Sequence, residues 1–316
     1  MLELTFGNKK ISTDRHAFVM GIVNATPDSF FSKSRGGVDK ALEVLDNGAD
    51  IIDIGGESTR PGFKEISAQE EIKRISPLIK AIRKKSDVVI SIDTRKEEVM
   101  QAAFDLGADV LNDVSSFESD STLASFAAKT GISVILMHGY NKTEEHESDE
   151  NITQSVEKYL LERAEYAMSQ GIKKEKIILD PGIGFGKTIE ENISLIKNAD
   201  KLNNTGFPLL MALSRKRVIG YMTDRAVEER LTGTITADLF SVIKGAKILR
   251  VHDVKETIDS LNVMKYLYWY DIINLRLMEL YSKFLYIYDF IAPVLDVGIL
   301  CFLLYKIYDF MQKTNS

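Results

Sequence analysis

Cysteine is almost absent: one residue of 316, Cys301. That excludes an intramolecular disulfide framework, an all-cysteine zinc site and a cysteine-ligated iron–sulfur cluster. Charge of one sign is also scarce. Forty Lys and Arg stand against 46 Asp and Glu, a formal net charge of -6, which offers no global attraction to nucleic acid. A local group of Arg and Lys is still able to bind an anion. The opening MLELTFGNKK has no basic stretch followed by an apolar one, so no secretory signal is read and a cytoplasmic protein is expected. HExxH, GxSxG and a Cys–His pairing are missing too, which argues against a zinc protease or a triad hydrolase. With 45% hydrophobic and 27% charged residues, the chain is neither disordered nor collagen-like. The length alone fits two domains or one large one.

What is present is an alternation. From 18 to 264, short runs rich in β-branched residues precede longer stretches of helical spacing. The runs are FVMGIVNAT, DIIDIGG, DVVISIDT, DVLNDVSS, SVILMHG, KIILDPGI, PLLMALS and KILRVHDV. Six helical stretches end on glycine just before the next run, at Gly48, Gly107, Gly131, Gly171, Gly206 and Gly245, where a helix C′ glycine belongs. Uniformly apolar strands are buried on both faces, as in a parallel sheet. Eight strand–helix units predict an α/β fold of the TIM (β/α)8 barrel type. A doubly wound open sheet is the competing arrangement, but its glycine-rich first turn is missing. The opening LELTFGNKKISTD reads as a β-hairpin turning at Gly7-Asn8 that plugs the N-terminal end of the barrel.

Barrel chemistry sits at the C-terminal ends of the strands. All eight ends carry polar groups: Asn24; Glu57 to Arg60; Asp93; Asn112 and Asp113; His138; Asp180; Ser214 to Lys216; Arg250 and His252. Asp93, Asn112 and Asp180 leave apolar runs, so each needs a hydrogen-bond partner. A flat heterocycle with ring N–H and amino donors would supply three at once; the alternative is that each bonds amides of its own loop. Arg60, Arg250, His252 and Asn24 form a second group suited to phosphate oxygens. DPGIGFGK lacks the spacing of a phosphate loop, and its glycines instead let backbone run beneath a planar ligand, with Phe185 presenting its ring. TPDSFFSKSRGG and STRPGFKEIS are the longest strand–helix loops and read as lids that expose Phe30, Phe31 and Phe63.

At these residues the sequence resembles the dihydropteroate synthase family. MGIVNATPDSF, DIGGESTRPG, SIDT, LNDVSS, LDPGIGFGK, SRK and ILRVHDV occur in family order over about residues 1–265. The resemblance implies condensation of (7,8-dihydropterin-6-yl)methyl diphosphate with p-aminobenzoate, giving dihydropteroate and diphosphate. It implies Asp180, Lys216 and Asp93 as catalytic residues. Asp93, Asn112, Met137, Asp180, Phe185 and Lys216 would hold the pterin. Asn24, Thr59, Arg60, Arg250 and His252 would take the diphosphate, Asn24 as a ligand to Mg2+. Phe30, Thr59, Pro61, Phe185, Ser214 and Lys216 would shape the p-aminobenzoate side. A homodimer is expected. A pterin-binding methyltransferase of the corrinoid type is the alternative enzyme, and a membrane-attached scaffold without activity is the third reading. The methyltransferase should not need STRPG, SRK or RVHD, and the intact strand-end residues argue against the scaffold. The first loop departs from the family pattern by the basic, serine-rich SFFSKSRGG.

From Tyr266 the texture changes, so the chain divides into a barrel over 1–265 and an apolar helical extension over 266–316. Residues 284–305 are long enough to span a bilayer and are flanked by Lys283, Lys306 and Lys313. Asp289, Pro293 and Asp296 count against insertion, a central Asp costing about 2.5–3.5 kcal/mol. A helical hairpin packed on the barrel or on a partner is the alternative. The tail also resembles the first membrane segment of membrane-bound diadenylate cyclases, without their nucleotide-making domain.

Overall fold

The computed structural model describes residues 1–25, 37–57, 65–139, 152–267, 282–283, 299–307 and 309–310. A two-stranded antiparallel hairpin comes first, β1 (Leu2–Phe6) and β2 (Lys9–Thr13). Eight parallel strands follow: β3 (Phe18–Asn24), β4 (Ile51–Gly55), β5 (Val89–Asp93), β6 (Val110–Asp113), β7 (Ser133–Met137), β8 (Ile177–Asp180), β9 (Leu210–Met211) and β10 (Ile248–Val251). Their spatial order is β8-β7-β6-β5-β4-β3-β10-β9. The two outer strands meet through a parallel bridge between Leu179 and Leu209, and the Leu179 N–H donates to the Pro208 carbonyl at 3.0 Å. That contact closes the sheet into a barrel. Closure also explains why the strands read as uninterrupted apolar runs: helices cover them outside and other strands face them inside.

The helices between are α1 (Val38–Asp46), α2 (Ala68–Lys85), α3 (Glu97–Asp105), α4 (Thr122–Thr130), α5 (Ile152–Ser169), α6 (Ile189–Lys197), α7 (Ala199–Asn203), α8 (Arg217–Thr223), α9 (Leu231–Ile243) and α10 (254–267). Local chemistry starts two of them. Ser67 accepts the Glu70 N–H at the head of α2, and Thr188 forms a reciprocal capping box with Glu191 at the head of α6. All six glycines placed at helix ends by the sequence pattern lie at positive φ.

The hairpin occupies the N-terminal end of the barrel. Phe6 is fully buried with Phe18, Met20, Ile51, Val89, Val110, Ile135, Ile178, Leu210 and Ile248, and Leu2, Leu4 and Ile11 pack against this cluster. Its ring meets Phe18 edge-on at 6.2 Å. The Gly7 N–H donates to Ser133 Oγ at 3.0 Å, and that hydroxyl donates to the Thr5 carbonyl at 3.1 Å. With this end closed, a ligand has the other end.

The chain divides into two units, Met1–Met264 and Lys265–Ser316. In the second, 299–307 is helical, and Ile299, Leu300, Phe302, Leu303, Leu304, Tyr305 and Ile307 are exposed, as is Cys301. Residues 284–298 of the candidate membrane segment lie outside the described residues. Among the described residues no helix is long and apolar enough to cross a membrane.

Candidate active site

Strand register brings the polar ends together. Asp93 pairs with Gly55 on one side and Asn112 on the other, and Met137 pairs with Asp180. Asp93, Asn112, Met137 and Asp180 are all buried, because each closes a run whose other members are interior. The arrangement holds one residue that the sequence pattern did not single out. Asp53, in the middle of β4, is fully buried and joins both groups that had been read separately. Its Oδ2 accepts the Arg250 Nε–H at 2.7 Å, and the Asn112 amide reaches its two oxygens at 3.3 Å. Arg250 also donates from Nη2 to Asp93 Oδ2 at 2.9 Å. Arg250 is therefore held from behind by two carboxylates. An aspartate inside an otherwise apolar strand was the signal for Asp53.

One acceptor in this network has no donor. Asp93 Oδ1 is buried and has no hydrogen-bond partner among the described residues. Such an atom is costly unless a ligand N–H fills it. Burial pushes the Asp93 carboxyl up to about 7; Arg250 pulls it down, and Asp53, Glu71 and Asp113 push it further up. Asp113 itself is satisfied within its own loop, by Ser115 and the Phe117 N–H.

Across the mouth, Asp180 Oδ1 accepts the Gly182 N–H at 2.7 Å. For this one oxygen the own-loop alternative holds. Burial raises the Asp180 carboxyl against the pull of Lys216, the Gly182 amide, Arg250 and Lys187. Lys216 donates to the Ile183 carbonyl and stands 5.1 Å from the centre of the half-buried Phe185 ring. Burial brings the Lys216 ammonium down to about 8, Asp180 opposing and Arg250 adding to the fall. Arg250 moves the other way: Asp53 and Asp93 outweigh its burial and raise it.

The loop after β8 has a device of its own. Lys187, buried and brought down to about 8 mainly by burial, donates to the carbonyls of His138, Gly182 and Phe185 at 3.1, 3.0 and 3.1 Å. Gly182 has φ +68°, and a Cβ there would lie 2.0 Å from the His138 carbonyl oxygen. The glycine thus permits close backbone approach, with the lysine as the bolt; neither is a phosphate loop. On the remaining side, Ser214 Oγ accepts the His252 N–H at 3.2 Å and meets His252 Nδ1 at 2.9 Å. Asn24 is half-buried at the end of β3. Thr59, Arg60, Pro61 and Phe30, with Phe31 and Phe63, fall outside the described residues.

The mouth therefore offers buried carboxylate and amide acceptors at Asp93, Asn112 and Asp180, with Arg250, Lys216 and His252 around them. It suits a planar, donor-rich ring joined to an anionic group. The family model of pterin binding enzymes matches residues 20–252. The sequence is 41% identical over 259 residues to the dihydropteroate synthase of Clostridium beijerinckii, covering 80% of this chain and 95% of that one. It is 40% identical over 261 residues to the dihydropteroate synthase of Escherichia coli K12, covering 79% and 91%. Among solved structures it is similar to Xanthomonas albilineans dihydropteroate synthase with 4-aminobenzoic acid, with a TM-score of 0.76 and 37% identity over 84% of this chain and 97% of that one. The Thermus thermophilus enzyme in complex with 4-aminobenzoate gives 0.75 and 35%, over 84% and 100%.

Proposed function

Because this chain belongs to the pterin binding enzymes, as a dihydropteroate synthase, we infer from its barrel mouth how the work of that reaction is divided. The reaction joins the methylene of (7,8-dihydropterin-6-yl)methyl diphosphate to the amine of p-aminobenzoate. The C–O bond to diphosphate breaks, its electron pair leaves with the diphosphate, a C–N bond forms and the amine proton passes to solvent. The observation that carries the assignment is the buried Asp93 Oδ1, without a hydrogen-bond partner among the described residues, beside Asn112 and across from Asp180. Asp93, Asn112 and the second oxygen of Asp180 take the ring N–H and amino groups of the pterin, with Met137 and Phe185 against its faces. As the methylene becomes electron-poor, the Asp180 carboxylate offsets its charge. Lys216 lies between pterin and p-aminobenzoate, and Ser214 with Phe185 forms the described part of the p-aminobenzoate side. Phe30, Thr59 and Pro61 complete that side in this reading.

Arg250 and His252, joined by Arg60 and Thr59, receive the departing diphosphate. Arg250 suits the task because Asp53 and Asp93 fix its plane, so little reorganisation accompanies charge development. No three His, Cys, Asp or Glu side chains gather as a metal site among the described residues. Asn24, half-buried at the end of β3, would hold a Mg2+ through its neutral side-chain oxygen, a hard ligand of the kind that ion takes. Bound there, Mg2+ would neutralise charge on the leaving group. No protein nucleophile is required.

Diphosphate release tests the reading. Release is expected only when both substrates and Mg2+ are present; no release from folded protein would exclude it, and methyl transfer from a methylated folate would establish the alternative enzyme. For the second unit we favour membrane contact of an otherwise cytoplasmic enzyme, supported by the exposed apolar residues of 299–307. Carbonate-resistant pelleting that is lost on truncation after 265 is the expected result. Homodimerisation is supported by an apolar groove of about 910 Å3 bordered by Ile193, Ile196, Met222 and Phe240; sedimentation as a monomer would refute it.

A further inference from the structure

Arg215 sits between two residues of the mouth, Ser214 and Lys216, yet its own side chain turns away into the protein and is buried. Its backbone is left-handed, φ +57°, a conformation that side-chain-bearing residues adopt only when the surroundings impose it. Here they do so from every side. The guanidinium grips Asp253 as a fork, Nε to Oδ2 at 2.8 Å and Nη2 to Oδ1 at 2.9 Å. Nη1 donates to the carbonyls of Val227 and Glu228 at 2.9 and 2.8 Å. Its N–H donates to Thr234 Oγ1 at 3.0 Å, and its carbonyl accepts Arg230 Nη1 at 3.0 Å.

Asp253 directly follows His252, which is bound to Ser214. Two consecutive links, Ser214 to His252 and Arg215 to Asp253, therefore staple the loop after β9 to the loop after β10. Asp238 on α9 is fully buried, and neither of its oxygens has a partner among the described residues. Burial, then the charge of Asp253, raises its carboxyl well above the usual carboxylate range.

We propose that Arg215 is a positioning residue: by pinning this strained turn to Asp253, α9 and the Val227–Glu229 turn, it fixes where the Lys216 ammonium stands in the reaction site. Lys216 is the next residue, and its contacts with the Ile183 carbonyl and the Phe185 ring depend on how the turn aims it. The proposal rests on the place given to Lys216 above, which Lys216→Met tests separately: full turnover in that variant would overturn the site reading itself.

For Arg215, the test is Arg215→Lys in the full chain, which keeps the charge opposite Asp253 and loses the fork. With rates referred to folded enzyme, kcat is expected to fall about 10–100-fold, as small misplacements of reacting groups do. KM for either substrate should change less than about threefold. The basic limb of the kcat profile should move to higher pH, because a Lys216 released from its buried setting regains water. Should that variant not fold, Asp253→Asn, which keeps an acceptor of the same shape, gives the same readouts. Wild-type kcat in a folded variant would overturn the proposal. So would a loss of kcat with an unmoved pH limb, which is what a purely structural role gives.

Discussion

Asp93 carries the clearest consequence at the scale of single residues. Its carboxyl titrates at about 7 in the fold, against about 3.9 in an unfolded chain. Between those values the native state binds more protons than the unfolded one, so the stability that Asp93 contributes declines as pH rises through that window. Asp93→Asn should therefore flatten the fall in melting temperature between pH 4.5 and 7.5 while reducing turnover at least about 100-fold. Thermal melts across pH check the first, and a steeper fall in the variant would contradict it. Asp93, Asn112 and Asp180 were legible in the sequence because each ends an apolar run, where a polar group is conspicuous. Their pairing was not. Asp53 and Arg250 are 197 residues apart, and only barrel closure makes them neighbours. Asp53 carries no such mark, because it lies inside the run IIDIG and not at its end.

Among elements, the loop after β8 shows how tightly this barrel end is built. Gly182→Ala would place a methyl carbon against the His138 carbonyl at a left-handed φ. A loss on the order of 3 kcal/mol is expected, read as a lower urea midpoint with an unchanged slope. Lys187→Met leaves three carbonyls without their shared donor. It should cost about 2 kcal/mol and raise KM for the pterin substrate, since Asp180 and Phe185 belong to the same loop. Retention of both stability and KM would show that the lysine bolts nothing. Helix C-terminal ends were readable here because a glycine just past the last turn acts locally. The turn at Arg215 was not, because its left-handed backbone is imposed by groups from other elements and leaves no glycine behind as a mark.

At the scale of the whole molecule, the hairpin and the reaction site occupy opposite ends of one barrel. Phe6→Ala should therefore cost about 3–5 kcal/mol, removing a fully buried ring from the plug, yet leave kcat at 25 °C unchanged in the protein that stays folded. A fall in kcat without a fall in melting temperature would contradict that separation. The eight strand–helix units were legible in the hydrophobic pattern, and the missing glycine-rich first turn separated a barrel from a doubly wound open sheet. In the proposed reading the acceptors and cations of the mouth run dihydropteroate synthesis. Its most direct test is transfer of labelled p-aminobenzoate into dihydropteroate by the full chain, wild type beside Asp180→Ala. Label should accumulate in the product with wild type and drop at least about 100-fold in the folded variant. No incorporation by folded wild type, or equal incorporation by both, would contradict the account.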